Sequence, residues 1–330
     1  MVGILKDLSR KYFADPQAVY LAFLLVLGFS VVIFMGGMLL PVFAGLIIAF
    51  LLEEIVQLLQ KRGAKRNISV VVVYIAYLAI FTFIFLSFIP LLFGQVGDFI
   101  QQLPAMVARG QQALLDLPDV YTFISEEQIA QLIATISNEI GNLSQKAITK
   151  SISSLTSFVT LIVYLVLVPL LVFFFLKDKW LILNWFERFL PKKRTLMIKL
   201  WTEMDAQLGN YVKGKFWEVL IVGTASGIAF KLFGLQYAIL LGALVGISVI
   251  VPYVGAVVVT FPVVLVAYFQ WGWSATFAYL VITYLIIQTL DAIILVPVMF
   301  SEVVNLHPIA IIVAVLVFGG LWGFWGVFFA

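Results

Sequence analysis

The sequence predicts an all-α polytopic membrane protein, and three observations predict it. Of its 330 residues, 63% are hydrophobic and 11% charged, and the mean hydropathy is +1.13, whereas soluble domains carry about 25% charged residues. The apolar residues come in unbroken runs, several close to the ~20 residues that take a helix across a ~30 Å hydrocarbon core. Alternating segments of about 10 residues, the mark of a membrane β-barrel, are absent. The expected architecture is about six full transmembrane helices plus two broken or re-entrant helical hairpins, with an amphipathic helical region projecting between the third and fourth spans.

The first apolar run covers 19–34 behind Lys6, Arg10 and Lys11. A basic start before an apolar run is also the form of a signal peptide, but no small-residue cleavage site follows. Gly36-Gly37 leads at once into a second run, 38–52, so a tight helical hairpin is predicted there. A basic loop with Lys61, Arg62, Lys65 and Arg66 precedes the third run, 68–93. Residues 1–94 thus read as a three-span N-terminal region.

From 95 to 150 the chain turns polar, with Asp98, Asp116, Asp119, Glu126, Glu127 and Glu139 against few basic residues. Ile129, Leu132, Ile133, Ile136, Ile140 and Leu143 recur at helical spacing and make one apolar stripe. Ser125 with Gln128 has the form of a capping box, and no proline follows until Pro169. This extramembrane helix is expected to run into the fourth span, 151–177. A projecting striped helix packs either within its own chain or against another subunit, and both readings stand. Next, 178–214 is a basic segment with Lys179, Arg188, Lys192, Lys193, Arg194, Lys199 and Lys213. Basic residues gather on the cytoplasmic side. Counting from a cytoplasmic N-terminus places 61–66 and 177–215 inside and 95–150 outside; Lys231 is the exception.

The remaining stretch, 215–330, reads as a transport core with interrupted hairpins at 235–269 and 307–330. The first would be roughly 52 Å long as one helix, but Val251-Pro252-Tyr253-Val254-Gly255 breaks it. Such a break survives in hydrocarbon only where protein or a water-filled cavity satisfies the backbone. Two short spans with a turn at the opposite face is the alternative. Leu235, Ala243 and Gly255 recur as Leu306, Ala314 and Gly326, and Gly319, Gly320 and Gly323 break the second segment. One ordinary span, 275–296, lies between them. This is the pattern of an inverted repeat whose broken helices meet near the midplane. The chain stops at Ala330 inside an apolar run, so the return arm of the second hairpin is expected to be missing.

Polar residues in these spans are the candidate site. Asp291, flanked by Gln288 and Thr289 and followed by Pro297, carries a charge that costs about 2.5–3.5 kcal/mol at a helix centre. It is either a structural anchor for a hairpin tip or a group that binds solute, proton or cation. Glu218 lies one turn inside the fifth span, within helical reach of Lys215. His307, before Pro308, is a poor metal site alone. Substrate or ion binding is thus expected at Asp291, Gln288, Pro252, Tyr253, Gly255, Glu218, His307, Gly319 and Gly320. With no cysteine and a single histidine, no disulfide, no metal site and no cofactor are expected. No nucleophile–base pair or phosphate-binding loop is present either, so an enzyme is not expected. The bilayer and a small solute or cation are the expected partners, and nucleic acid is not. A channel or a scaffold working through 95–150 are the rival readings.

Several local motifs occur together. Phe173-Phe174-Phe175-Leu176-Lys177-Asp178 closes the fourth span, and Tyr211-Val212-Lys213-Gly214-Lys215 opens the fifth. Val251 to Gly255 reads Val-Pro-Tyr-Val-Gly, Asp291 begins Asp-Ala-Ile-Ile-Leu-Val-Pro, and Leu306-His307-Pro308 follows. The ordered set, over nearly the whole chain, resembles the autoinducer-2 exporter family of bacterial permeases. The resemblance implies a multi-pass protein of the bacterial inner membrane that exports small solutes, autoinducer-2 for some relatives and sodium–proton exchange for others. It also implies a homo-oligomer, with the pentamer as one candidate form. Members continue past the last glycine-rich break, which this chain does not.

Overall fold

In the computed structural model, residues 16–115, 155–189, 195–252, 254–300, 308–323 and 326 are described. Among them every regular element is helical and no strand occurs. The helices are α1 (Pro16–Lys61), α2 (Arg66–Phe83), α3 (Ile89–Leu115), α4 (Leu155–Lys177), α5 (Lys179–Glu187) and α6 (Thr195–Phe233). They continue with α7 (Ala238–Ser248), α8 (Val254–Trp271), α9 (Ala275–Leu290), α10 (Val296–Phe300) and α11 (Pro308–Trp322). Among the described residues, five stretches are long and apolar enough to cross a membrane: 38–61, 66–106, 201–233, 254–271 and 275–300. The helix expected to start at Ser125 lies outside the described residues.

The expected turn at Gly36-Gly37 is not there. Helix α1 runs through both glycines for 46 residues, where a hairpin between two spans was predicted. Each glycine costs about 1 kcal/mol in a helix. A turn in apolar surroundings would instead strip several backbone groups of their partners.

Two five-residue π turns interrupt otherwise continuous rods, Ile84–Phe88 between α2 and α3 and Asp291–Leu295 between α9 and α10. Each is followed by one residue and then a proline, Ile89-Pro90 and Val296-Pro297. A proline ring collides with the carbonyl four residues before it and donates no hydrogen bond. Widening the turn by one residue relieves that collision, so Ile89 and Val296 bond back five residues to Ile84 and Asp291.

The chain forms two compact units. One comprises Met1–Ala79, Ile162–Phe216 and Val298–Ala330. In it Gly45 lets α4 come close, a Cβ there meeting Leu171 at 3.0 Å. Glu53 receives Arg66 at 3.0 Å and Lys179 at 3.1 Å, and Arg66 also donates to the Leu176 carbonyl at 2.8 Å. The basic loop after α1 and the basic end of α4 therefore lie at one end of this unit, as their charge predicted. The Tyr-Val-Lys-Gly-Lys motif packs here too: Gly214 abuts the Phe300 ring, Lys215 stands 5.2 Å over it, and Lys213 pairs with Glu54 at 3.2 Å.

The other unit comprises Ile80–Leu161 and Trp217–Pro297, and it holds the first hairpin. Its core gathers Val222, Phe230, Leu241, Val245, Val263, Val266, Leu280 and Tyr284. The Gln95 side chain of α3 accepts from the Leu240 N–H at 2.9 Å and so caps the start of α7.

Candidate functional site

Helices α7 and α8 are the two arms of one hairpin. At its open end, Gln270 accepts from the Gln236 N–H and donates to the Gly234 carbonyl, both at 2.8 Å. At its closed end, Pro252 lies in the turn and Gly255 starts the return arm with its Cα against the Ser248 carbonyl, where no Cβ fits. The arm α7 has 11 residues, about 16 Å of helix, roughly half a hydrocarbon core.

Glycine also sets how this hairpin meets α6. A Cβ on Gly242 would stand 2.5 Å from the Gly227 Cα, and one on Gly246 would stand 2.9 Å from the Gly223 Cα. The two antiparallel helices touch backbone to backbone, as small residues allow. Five residues from Gly223 toward the hairpin tip stands Glu218; five residues on from Gly246 is Val251, in the turn. Glu218 is 2% exposed. With Val222, Ser226 and Phe230, all buried, it forms one i, i+4 face of α6 turned to the unit's core. Phe230 on that face lies 5.9 Å from the Tyr284 ring.

Helix α9 meets the other arm through polar groups. Thr260 Oγ1 donates to the Ala256 carbonyl at 2.7 Å, which uses its one proton. Tyr284 Oη, 3.0 Å from Thr260 Oγ1, must then donate to it, and Gln288 Nε2 donates to Tyr284 Oη at 3.2 Å. The result is a directed chain, Gln288 to Tyr284 to Thr260 to Ala256, ending one residue past Gly255. Asp291 follows on the same face, at i+7 from Tyr284. From the Thr260–Tyr284 contact it is seven residues to Asp291, just past the end of α9, and six back to Val254 along α8, about 10.5 and 9 Å of helical rise. Asp291 thus comes level with the hairpin turn. It opens a π turn, and its Oδ1 is shut off from solvent.

Of the expected residues, Pro252 and Gly255 form the hairpin turn, Gln288 joins the Tyr284–Thr260 chain, and Glu218 and Asp291 lie on α6 and beyond α9 in the direction of that turn. Gly319 and Gly320, expected to break the second segment, do not: α11 runs through both, as a helix tolerates glycine at about 1 kcal/mol each, and the left-handed residue is Gly323 at its end, φ 61°. Tyr253 and His307 lie outside the described residues. Tyr284 and Thr260 were missed by sequence reasoning. A signal existed for the first, because Tyr284, Gln288 and Asp291 share one helical face. Thr260 on its own helix gave none.

Residues 21–330 match the family model described as AI-2E family transporter. The chain is 42% identical to PerM of Escherichia coli, whose name is that of a permease, over all of this chain and 94% of that protein. It is 29% identical to YueF of Bacillus subtilis, whose name is that of a transport protein, over 91% of this chain and 82% of that one. YrrI of the same organism is 27% identical over 88% of this chain and 82% of its own length.

Proposed function

This chain belongs to the AI-2E transporter family, and from that premise we propose that it is a secondary permease of the bacterial inner membrane. It moves a small polar solute outward, with a proton or sodium ion as the coupling species. Its site is the layer where Asp291 and Glu218 come level with the turn of the first hairpin, and its basic segments 61–66 and 177–215 face the cytoplasm. One argument supports this: two carboxylates, each costly within an apolar span, come by helical rise to the level of the hairpin turn at 251–255. A hairpin whose short arm reaches about half the bilayer carries that turn to mid-depth.

The chemistry follows from the groups present. Carboxylates take protons or alkali cations. The Gln288–Tyr284–Thr260 chain ties the face that holds Asp291 to the first turn of α8 through the Ala256 carbonyl. A change of charge or partner at Asp291 is thereby passed to the hairpin tip. Sodium–proton exchange by the same layer is a second reading, favoured by the presence of two carboxylates and not one.

The test is coupled flux in vesicles holding the reconstituted chain, under an imposed proton or sodium gradient. Asp291→Asn should lower flux at least tenfold and abolish its response to the gradient. Equal flux in variant and parent would remove Asp291 from coupling. Flux that neither saturates nor follows any gradient would make the protein a channel.

A further inference from the structure

Helix α5 leaves the end of α4 at Asp178, whose φ of −101° and ψ of 20° break the helix. At nine residues it is about 13 Å long, too short to enter a second crossing. Its side chains sort by angle. Leu181, Ile182, Trp185, Phe186 and Phe189 share one arc; every polar residue of the helix, Lys179, Asn184, Glu187 and Arg188, falls on the rest of its circumference, together with Trp180 and Leu183.

Within its own unit the apolar face is left open. Leu181, Trp185, Phe186 and Phe189 are each half exposed or more. Trp185 lies 5.0 Å from the Phe186 ring and 4.8 Å from the Phe189 ring, so the aromatic residues form one cluster. Four large apolar side chains on one short helix would be costly in water. The charged groups on the rest of the circumference would be costly in hydrocarbon, while Trp180 among them suits an interface better than either phase. The charge around the helix is one-sided: from 177 to 199 the sequence holds seven basic residues, against Asp178 and Glu187. Of these, Lys179 is engaged by Glu53, while Lys177 and Arg188 are exposed at the two ends of α5.

We propose that α5 is an interfacial helix, lying at the membrane surface with its aromatic face in the headgroup–acyl boundary and Lys177 and Arg188 holding anionic phospholipid headgroups. Aromatic residues favour this layer, and an amphipathic helix with a basic surround lies along it. Charge complementarity selects lipid over a second protein, because an excess of five positive charges meets an anionic surface favourably and another copy of itself unfavourably. The helix would fix the depth of the α4 end, and with it the Glu53 cluster. This holds whether or not Asp291 couples transport.

The chain has no cysteine, so single-cysteine spin labels report one site each. In the full chain in nanodiscs, a label at Leu181→Cys should be reached by oxygen and shielded from an aqueous nickel chelate. A label at Glu187→Cys, on the far side of the helix, should show the reverse. A Leu181 label open to the chelate, or shielded from both reagents with spin–spin broadening between copies, would overturn the proposal; the second pattern would mark a protein contact. In mixed phosphatidylglycerol–phosphatidylcholine nanodiscs, Lys177→Gln with Arg188→Gln should lower phosphatidylglycerol enrichment roughly fivefold per charge removed. Unchanged enrichment would remove the headgroup contact.

Discussion

The two glycine-marked breaks, at Gly255 and Gly326, resemble each other at the glycine and part company along the helix that precedes it. Gly255 and Gly326, 71 positions apart, each press the Cα against a carbonyl of the preceding helix, Ser248 in one and Phe318 in the other, where no Cβ fits. Along the arm, the same offset sets Gly242 against Val313 and Gly246 against Val317. The glycines seat α7 on the backbone of α6; both valines of α11 are half exposed. A backbone that comes this close to the carbonyl of the preceding helix requires glycine at either position. What the arm requires depends on its neighbour, and among the described residues the first arm lies on a helix backbone while Val313 and Val317 of α11 are half exposed.

The largest test of that comparison is at the tips. Gly255→Ala and Gly326→Ala both drive a methyl into a carbonyl, which must shift backbone rather than a side chain, at about 3 kcal/mol or the loss of the fold. Thermal unfolding in detergent should show both drops. A Gly326→Ala protein as stable as the parent would show that the second tip does not share the first one's constraint.

Next comes the arm. Gly242→Val makes the first arm match the second and should cost about 2 kcal/mol, because the Gly227 backbone cannot retreat without unseating α7. The reciprocal Val313→Gly should cost no more than about 1 kcal/mol, the helix-propensity difference. Equal losses in the two would end the claim that the arms differ in kind.

The smallest effect is expected at the open end. Gln270→Leu removes two hydrogen bonds to the Gly234 and Gln236 backbone, at about 1 kcal/mol. Faster amide exchange confined to 234–240 would locate it, whereas unchanged exchange there would show that Gln270 does not hold the arms together.

Much of this was legible in the sequence. Long apolar runs forced helices because hydrocarbon leaves backbone groups no other partner. Pro252 and Gly255 marked the break, and Asp291 stood out as a carboxylate within an apolar span. Prolines 90 and 297 carried the π turns as well, but that signal lies in a collision with a carbonyl four residues back, not in hydropathy. Gly36-Gly37 misled for a related reason: a glycine pair permits a turn without requiring one.

By itself, then, the sequence determined the solvent this chain is built for, where the helices run, and which few polar residues are out of place there. Those are local matters, fixed by the cost of exposing or burying each segment. That Gly223 meets Gly246, and that Tyr284 joins Thr260 across two helices, only the tertiary structure decided. Register between helices is set by close contacts between residues distant in the chain, Gly223 on Gly246 and Thr260 on Tyr284, and no periodicity within one helix encodes its offset against another.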